Sequence, residues 1–314
     1  MLKVTGLSKN FGSLEAVRSI DFEINDGEIV GFLGVNGAGK TTTLRMITGF
    51  LIPTGGTVYV DDLNILDHAY EIQKQIGYLA ELNPLYSEMS VYDFLEFIAD
   101  IRKIRGKQFK EALARVVEQC GLKGVVHRTI SNCSKGFRQR IGLASTMIHD
   151  PDILILDEPV TGLDPNQIVE IRGLIKELGK EKLVLMSSHI LQEIQVTVDR
   201  IIIIHEGEIV ADGTNEELMS NFMGNVHLTM EVKDATIDSV SNIESAIPSV
   251  KFLNSEPKNG HQILHLEYSR ENDPREELFK FAVDSKWIIL SMNPHTANLE
   301  DIFRSLTVTG GANA

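Results

Sequence analysis

Read from its start, the chain shows apolar positions that first alternate, then cluster, then recur at helical spacing. Val17 to Ile24 alternates loosely, Asn25-Asp26-Gly27 turns, and Ile29 to Leu33 is the continuous apolar run of a fully buried strand. A glycine-rich loop then opens a helix near Lys40, Pro53-Thr54-Gly55-Gly56 predicts a turn, and Thr57 to Val60 a strand. Ser90 and Asp93 start a helix in the manner of a capping box, with Asp in place of the usual Glu. Val91, Phe94, Leu95, Ile98 and Ile101 follow at helical spacing, as do Phe109, Ala112, Leu113, Val116, Val117 and Cys120. Both stripes read as helix faces packed into a core.

From Pro151 the short apolar runs resume. Ile153 to Leu156, Leu183 to Met186, Ile201 to His205 and Glu208 to Ala211 predict strands, and Gln167 to Gly179 and Ile190 to Val196 predict helices. Buried strands separated by helices indicate an α/β domain with a mostly parallel central sheet. Near Asp212-Gly213 the pattern changes. Val226, Leu228, Met230 and Val232 alternate, and residues 236–246 are weakly helical. Val250 to Asn254 and Ile263 to Tyr268 are strands joined through Asn259-Gly260, a hairpin signal. Pro274 to Asp284 reads as a helix, Trp287 to Leu290 as a strand and Leu299 to Leu306 as a last helix. The order β-α-β-β-α-β is that of a ferredoxin-like unit. The expected organisation is a domain over residues 1–215, an accessory α+β domain over 216–306, and a frayed small-residue tail over 307–314.

Composition narrows the function classes. Of 314 residues, 44 are Asp or Glu and 30 Lys or Arg, a net charge of -14, which disfavours a nonspecific nucleic-acid binder. Residues 215–314 hold 15 acidic and 8 basic residues, half the net charge, so the acidity is not concentrated around the glycine-rich loop. The two cysteines, Cys120 and Cys133, form no CxxC pair, which argues against a disulfide framework or a thiolate zinc site. The start, MLKVTGLSKN, lacks a signal-peptide core, and no stretch approaches the roughly 18 apolar residues of a spanning helix. The chain is therefore expected not to cross a bilayer by itself.

Gly34 to Thr41 reads GVNGAGKT, a complete GxxxxGK[ST] between a predicted strand and a predicted helix. Gly34, Asn36, Gly37, Ala38 and Gly39 let backbone N–H groups converge on phosphate oxygens, and the helix N-terminus adds about half a positive charge. Lys40 is expected to pair with the β- and γ-phosphates of ATP, the Thr41 hydroxyl to ligate Mg²⁺, and Thr42 to bond phosphate. Downstream, the apolar strand Ile153 to Leu156 ends in Asp157-Glu158, two carboxylates at the carboxyl edge of the sheet. Asp157 is expected to hold Mg²⁺ through water and Glu158 to polarise the attacking water as general base.

With these motifs in this order the chain resembles the ATP-binding subunits of ABC transporters. The resemblance covers residues 1 to about 215 and implies a cassette with a mostly parallel central sheet, an antiparallel β subdomain and a helical subdomain over about residues 85–150. Phe11 occupies the place of the aromatic that stacks on adenine, worth about 1–3 kcal/mol by analogy with nucleobase stacking. Cys133-Ser134-Lys135-Gly136-Phe137 is similar to the family's signature LSGGQ, which caps the γ-phosphate held by the opposite subunit. Ser134 and Gly136 keep its pattern; Cys133, Lys135 and Phe137 depart from it, and Lys135 adds a cation near the triphosphate. Asp164, in Gly162-Leu163-Asp164, matches the D-loop that crosses the dimer seam, and His189 the switch histidine that contacts the γ-phosphate. The Q-loop glutamine is replaced by Glu81, which accepts hydrogen bonds but cannot donate as an amide does; Asn83 is a candidate substitute.

The wording GYLAELNPLYSEMSVYDFLEFIADIR, SKGFRQRIGLA and LDEPVTGLDPNQ is most similar to ABC type 2 exporters, and among them to gliding-motility-associated ATP-binding subunits. This implies an ATPase that dimerises on ATP, as a homodimer or heterodimer, and attaches to the cytoplasmic face of the membrane through an integral permease docking near Glu81 and residues 90–120. The alternative is a soluble ABC ATPase of DNA repair or translation. Repair members insert long coiled coils between phosphate loop and signature, whereas about 90 residues with two short helices fill that interval here. Translation members usually carry two cassettes, and one is present. A P-loop kinase would give the signature, the D-loop and His189 no role. No nucleic-acid partner is expected.

Overall fold

The computed structural model describes residues 1–222, 225–235, 242–258, 260–269, 272–295 and 299–308. The chain divides into two compact units, Met1–Asn215 and Glu216–Val308.

In the first unit, β1 (Leu2–Phe11), β2 (Leu14–Ile24), β4 (Gly55–Val60) and β5 (Leu63–Asn64) form an antiparallel sheet in the order β2-β1-β4-β5. A second, six-stranded sheet has the order β10-β9-β3-β8-β7-β6. Its strands are β3 (Ile29–Leu33), β6 (Ile76–Leu79), β7 (Ile153–Leu156), β8 (Leu183–Ser188), β9 (Arg200–His205) and β10 (Glu208–Gly213). All pairings are parallel except β9 with β10. Every residue of β3, β7 and β8 is buried, the condition a parallel sheet covered on both faces imposes. That is why these strands read as unbroken apolar runs. Inward residues of both sheets, among them Val4, Phe22, Phe32, Val58 and Ile202, share one core with Leu44, Met46 and Ile47 of α1 (Lys40–Ile47).

The remaining helices of this unit are α2 (Ala69–Gln75), α3 (Val91–Ile101), α4 (Gly106–Gln119), α5 (Lys135–Met147), α6 (Pro165–Gly179) and α7 (Leu191–Gln195); α8 (Asn215–Phe222) begins at its last residue. The α3 cap is half of a capping box. Ser90 Oγ accepts from Asp93 N at 3.1 Å, but the Asp93 carboxylate turns to accept from the Ser90 hydroxyl at 2.7 Å, because Asp is a methylene shorter than Glu. The apolar stripes of α3 and α4 are buried at Val91, Phe94, Leu95, Phe109, Ala112, Val116 and Val117, while Ile101 is exposed.

One side chain after α5 is expected to make this unit acid-sensitive. His149 Nε2 lies 3.2 Å from Ile76 O, and since a carbonyl only accepts, that nitrogen carries the proton. Its Nδ1 is buried without a hydrogen-bond partner among the described residues. Burial, reinforced by Arg102, pushes the His149 pKa down to about 4. The unfolded ring takes a proton near ~6.5, so this contribution is complete above that pH and is lost as pH falls from there through the folded value. The loss is on the order of 2 kcal/mol after allowance for solvent screening. Urea unfolding at pH 7 and pH 4.5 is expected to show a smaller pH difference for His149→Gln than for the wild type. An equal difference excludes this ring as the cause.

The second unit contains β11 (Asn225–Lys233), α9 (Ile243–Ala246), β12 (Val250–Lys258), β13 (His261–Ser269), α10 (Arg275–Asp284), β14 (Ile288–His295) and α11 (Leu299–Val308). Its antiparallel sheet has the order β12-β13-β11-β14, the strand order of a ferredoxin-like unit. Val226, Leu228, Met230 and Val232 alternate into a core with Leu264, Leu266 and Tyr268, closed by Leu278 and Ala282 of α10 and by Trp287. Only residues 243–246 of the weakly helical stretch form a helix, and 236–241 lie outside the described residues. So does Asn259 of the hairpin turn; its neighbour Gly260 has φ 82°. The last helix continues to Val308, with Thr307 Oγ1 donating to Phe303 O at 2.7 Å, and the rest of the tail, 309–314, is also outside them.

Candidate active site

Three neighbouring parallel strands, β3, β8 and β7, end at one edge of the central sheet and deliver the candidate residues there. After β3 the chain enters the glycine-rich loop. Side chains are excluded at Gly34, where a Cβ would stand 2.5 Å from Ile204 O, and at Gly39, where it would stand 2.6 Å from Ala16 O. Gly39 is also the N-cap of α1, at φ 108°. Ala38 is buried and Asn36 and Gly37 are exposed. The first-turn amides of α1 have no intrahelical acceptors, and that turn contains no acidic residue, which leaves positive partial charge facing the loop. Thr41 and Thr42 are half-buried, and their hydroxyls make no hydrogen bond among the described residues.

Lys40 is buried and folds back over this loop. Its Nζ donates to Gly34 O at 2.7 Å and Val35 O at 3.3 Å, and lies 3.5 Å from Glu158 Oε1. The other Glu158 oxygen, Oε2, accepts from Thr161 Oγ1 at 3.0 Å and from His189 Nδ1 at 2.9 Å. A carboxylate that only accepts places the proton on Nδ1. Glu158 has φ 51°, a left-handed backbone that costs a non-glycine residue about 1–3 kcal/mol and concentrates at functional sites. Asp157 beside it is fully buried. Its Oδ1 accepts from Ser187 Oγ at 2.7 Å, while its Oδ2 is buried without a hydrogen-bond partner among the described residues, and the Tyr78 hydroxyl lies close to this carboxylate. An orphaned carboxylate oxygen and an unused threonine hydroxyl are hard oxygen donors of the kind Mg²⁺ takes, so the residues present fit that ion.

The signature segment forms a second group. Ser134 caps α5 and accepts from Phe137 N at 3.3 Å. A Cβ on Gly136 would meet Gln167 Oε1 of α6 at 2.8 Å, and Lys135 Nζ occupies the space a Cβ on Gly162 would need. Asp164 caps α6, accepting from Asn166 N at 3.1 Å and Gln167 N at 3.0 Å. The signature helix and the D-loop thus pack on each other within one chain. Among the described residues, no hydrogen bond joins Ser134, Lys135 or Gly136 to Lys40, Asp157, Glu158 or His189.

Glu81 is exposed and lines a cavity of about 450 Å³ with Lys135, Arg138 and Gln139. Asn83 lines the same cavity, and its amide fills the space a Cβ on Gly142 of α5 would take. Phe11 is exposed, with Lys9 Nζ 5.3 Å from its ring centre, and lines a cavity of about 560 Å³ with Thr42, Arg45 and Tyr78. Ser187 and Thr161 are absent from the residues the sequence singles out. The sequence reading ends this strand at Met186, whereas Ser187 and Ser188 also belong to β8 and are fully buried.

The family model described as ABC transporter matches residues 17–161. An uncharacterized ABC transporter ATP-binding protein of Bacillus subtilis, YxlF, is 38% identical over 74% of this chain and 77% of its own length. The chain belongs to the ABC transporter ATP-binding proteins. The bacitracin transport ATP-binding protein BcrA of Enterococcus faecalis is 31% identical over 99% of this chain and 97% of its own, so the similarity extends through both units. The solved dimeric structure of the bacterial ABC transporter cassette MJ0796 is 25% identical, with a TM-score of 0.62 over 68% of this chain and 98% of that one. This ABC protein is accordingly an ATP-binding, ATP-hydrolysing subunit of a transporter, not a soluble ATPase of repair or translation. Among the described residues no helix is long and apolar enough to cross a membrane.

Proposed function

We propose that this ABC protein powers a type 2 exporter of the kind that includes gliding-motility-associated ATP-binding subunits, and that its ATP site is completed by a second subunit. The observation that carries the hydrolytic part of this reading is the contact of Lys40 with Glu158, whose other oxygen is held by His189 and Thr161, and the exporter part is supported by the similarity to the bacitracin transport protein BcrA along both units. A lysine paired with the residue placed to act as base is poised to exchange that carboxylate for phosphate. The amides of Gly37 to Thr42 and the Lys40 ammonium bind the triphosphate, and Phe11 stacks on adenine. Asp157 and Thr41 hold Mg²⁺, which when bound neutralises phosphate charge. Glu158 takes a proton from the attacking water, and His189 orients Glu158 and contacts the γ-phosphate. Ser134, Lys135 and Gly136 of the second subunit cap that phosphate, and Asp164 lies at the seam.

The membrane-spanning partner docks beside α3, on the cytoplasmic face. A groove of about 580 Å³ lined by Phe50, Tyr70, Ile98, Ile101 and Arg102 supports this placement, since Phe50 is 73% and Ile101 62% exposed. Glu81, at the Q-loop position, accepts where a glutamine would also donate. Co-purification from detergent-solubilised membranes is expected to recover an integral membrane protein with this chain, and Phe50→Glu/Ile101→Glu to lose it. Recovery of soluble proteins alone, or of the same membrane protein with the variant, overturns the docking.

A further inference from the structure

The two carboxylates at the end of β7 meet at Ser187. Its hydroxyl is fully buried, accepts from the Glu158 N–H at 2.9 Å and donates to Asp157 Oδ1 at 2.7 Å. The backbone N–H can only donate and the carboxylate can only accept, so the direction of both bonds is fixed. Two consequences follow from this one hydroxyl. A carboxylate's terminal torsion is broad, and the Ser187 bond removes that freedom, committing Oδ1 and leaving Oδ2 as the unpartnered oxygen. On the other side, Glu158 holds the left-handed φ of 51°, a region non-glycine residues occupy only when the surroundings impose it. The Ser187 bond to its N–H is such a constraint, and from that backbone its side chain reaches Thr161 and His189.

We propose that Ser187 is a positioning residue for the hydrolytic centre: its hydroxyl sets Asp157 with one oxygen free for the divalent ion and holds Glu158 where its carboxylate meets His189. The inference rests on the ATPase site described above and adds a residue whose hydroxyl is taken up by Glu158 N–H and Asp157 Oδ1. Ser188, the next residue in β8, supplies an internal control. It is equally buried, but its Oγ donates to Glu193 Oε2 at 2.8 Å and accepts from Ile190 N at 3.0 Å, so it reaches neither carboxylate.

The test uses the full chain with a non-hydrolysable ATP analogue and Mn²⁺ as a spectroscopic stand-in for Mg²⁺, read by electron paramagnetic resonance. Ser187→Ala is expected to weaken Mn²⁺ binding about 10–100-fold, the usual effect of losing a hydrogen-bonding partner behind a metal ligand. Affinity for the analogue in EDTA stays within about twofold, because the phosphate loop is untouched. Saturating Mn²⁺ restores occupancy but not kcat with ATP, because Glu158 remains unanchored. Ser187→Thr, which keeps the hydroxyl, restores both, and Ser188→Ala leaves Mn²⁺ affinity unchanged. Should Ser187→Ala not fold, Ser187→Cys replaces it, with an expected loss of about 3–10-fold from the weak thiol donor. Wild-type Mn²⁺ affinity in the folded variant overturns the proposal, as does an equal loss in Ser188→Ala. A wild-type chain that binds no Mn²⁺ with nucleotide overturns the site itself, a different result from either.

Discussion

Glu158→Gln is expected to bind ATP as well as the wild type or better, to hydrolyse it at least about 10²–10⁴-fold more slowly, and to accumulate as an ATP-bound dimer. The geometry separates these effects. Glutamine keeps the shape of the side chain, so an oxygen still accepts from His189 and Thr161, which lie 2.9 and 3.0 Å from Oε2. It loses the negative charge 3.5 Å from Lys40, and with it the internal competitor of the phosphates. Binding is therefore preserved while proton abstraction is lost, since an amide oxygen is not a useful base near neutral pH. Equilibrium nucleotide binding, steady-state phosphate release and size-exclusion chromatography with ATP check the three parts. A monomer under saturating ATP counts against a site shared between subunits. Wild-type turnover removes Glu158 from the role of base.

The phosphate loop was legible because its requirements are local. Glycines at 34 and 39 are demanded by nearby carbonyls and by a φ of 108°, and the following helix start is encoded beside them. Asp157 and Glu158 were legible because an apolar run that stops at two carboxylates reads as a buried strand reaching the sheet edge. The bonds that fix those carboxylates were not. Ser187 lies 30 residues beyond Asp157 and 29 beyond Glu158, and only the parallel pairing of β7 with β8 brings it there. The left-handed backbone of Glu158 is equally silent, because nothing in the residue type prefers it. β1 escaped the pattern reading too. Its alternation of Leu2, Val4 and Leu7 slips at Gly6, where φ is 55° and the pairing with β2 changes register.

Lys40→Ala is expected to lose ATP affinity by at least about 100-fold, because charge-assisted bonds to phosphate contribute about 1.5–3 kcal/mol each and the lysine makes more than one. The same substitution is expected to destabilise the nucleotide-free protein. Lys40 is 6% exposed, and its removal leaves Glu158, 7% exposed, as a buried carboxylate without its cation. Breaking such a pair costs on the order of 3 kcal/mol, lessened here by the His189 and Thr161 bonds that remain. The two losses have different cures. Adding Glu158→Gln to Lys40→Ala removes the unpaired charge and is expected to recover most of the lost stability in urea unfolding. It cannot recover affinity, since no cation returns to the loop. Unchanged nucleotide binding in Lys40→Ala refutes the phosphate-loop assignment. Stability that the second substitution fails to restore shows instead that Lys40 holds the loop through its bonds to Gly34 O and Val35 O, independently of Glu158.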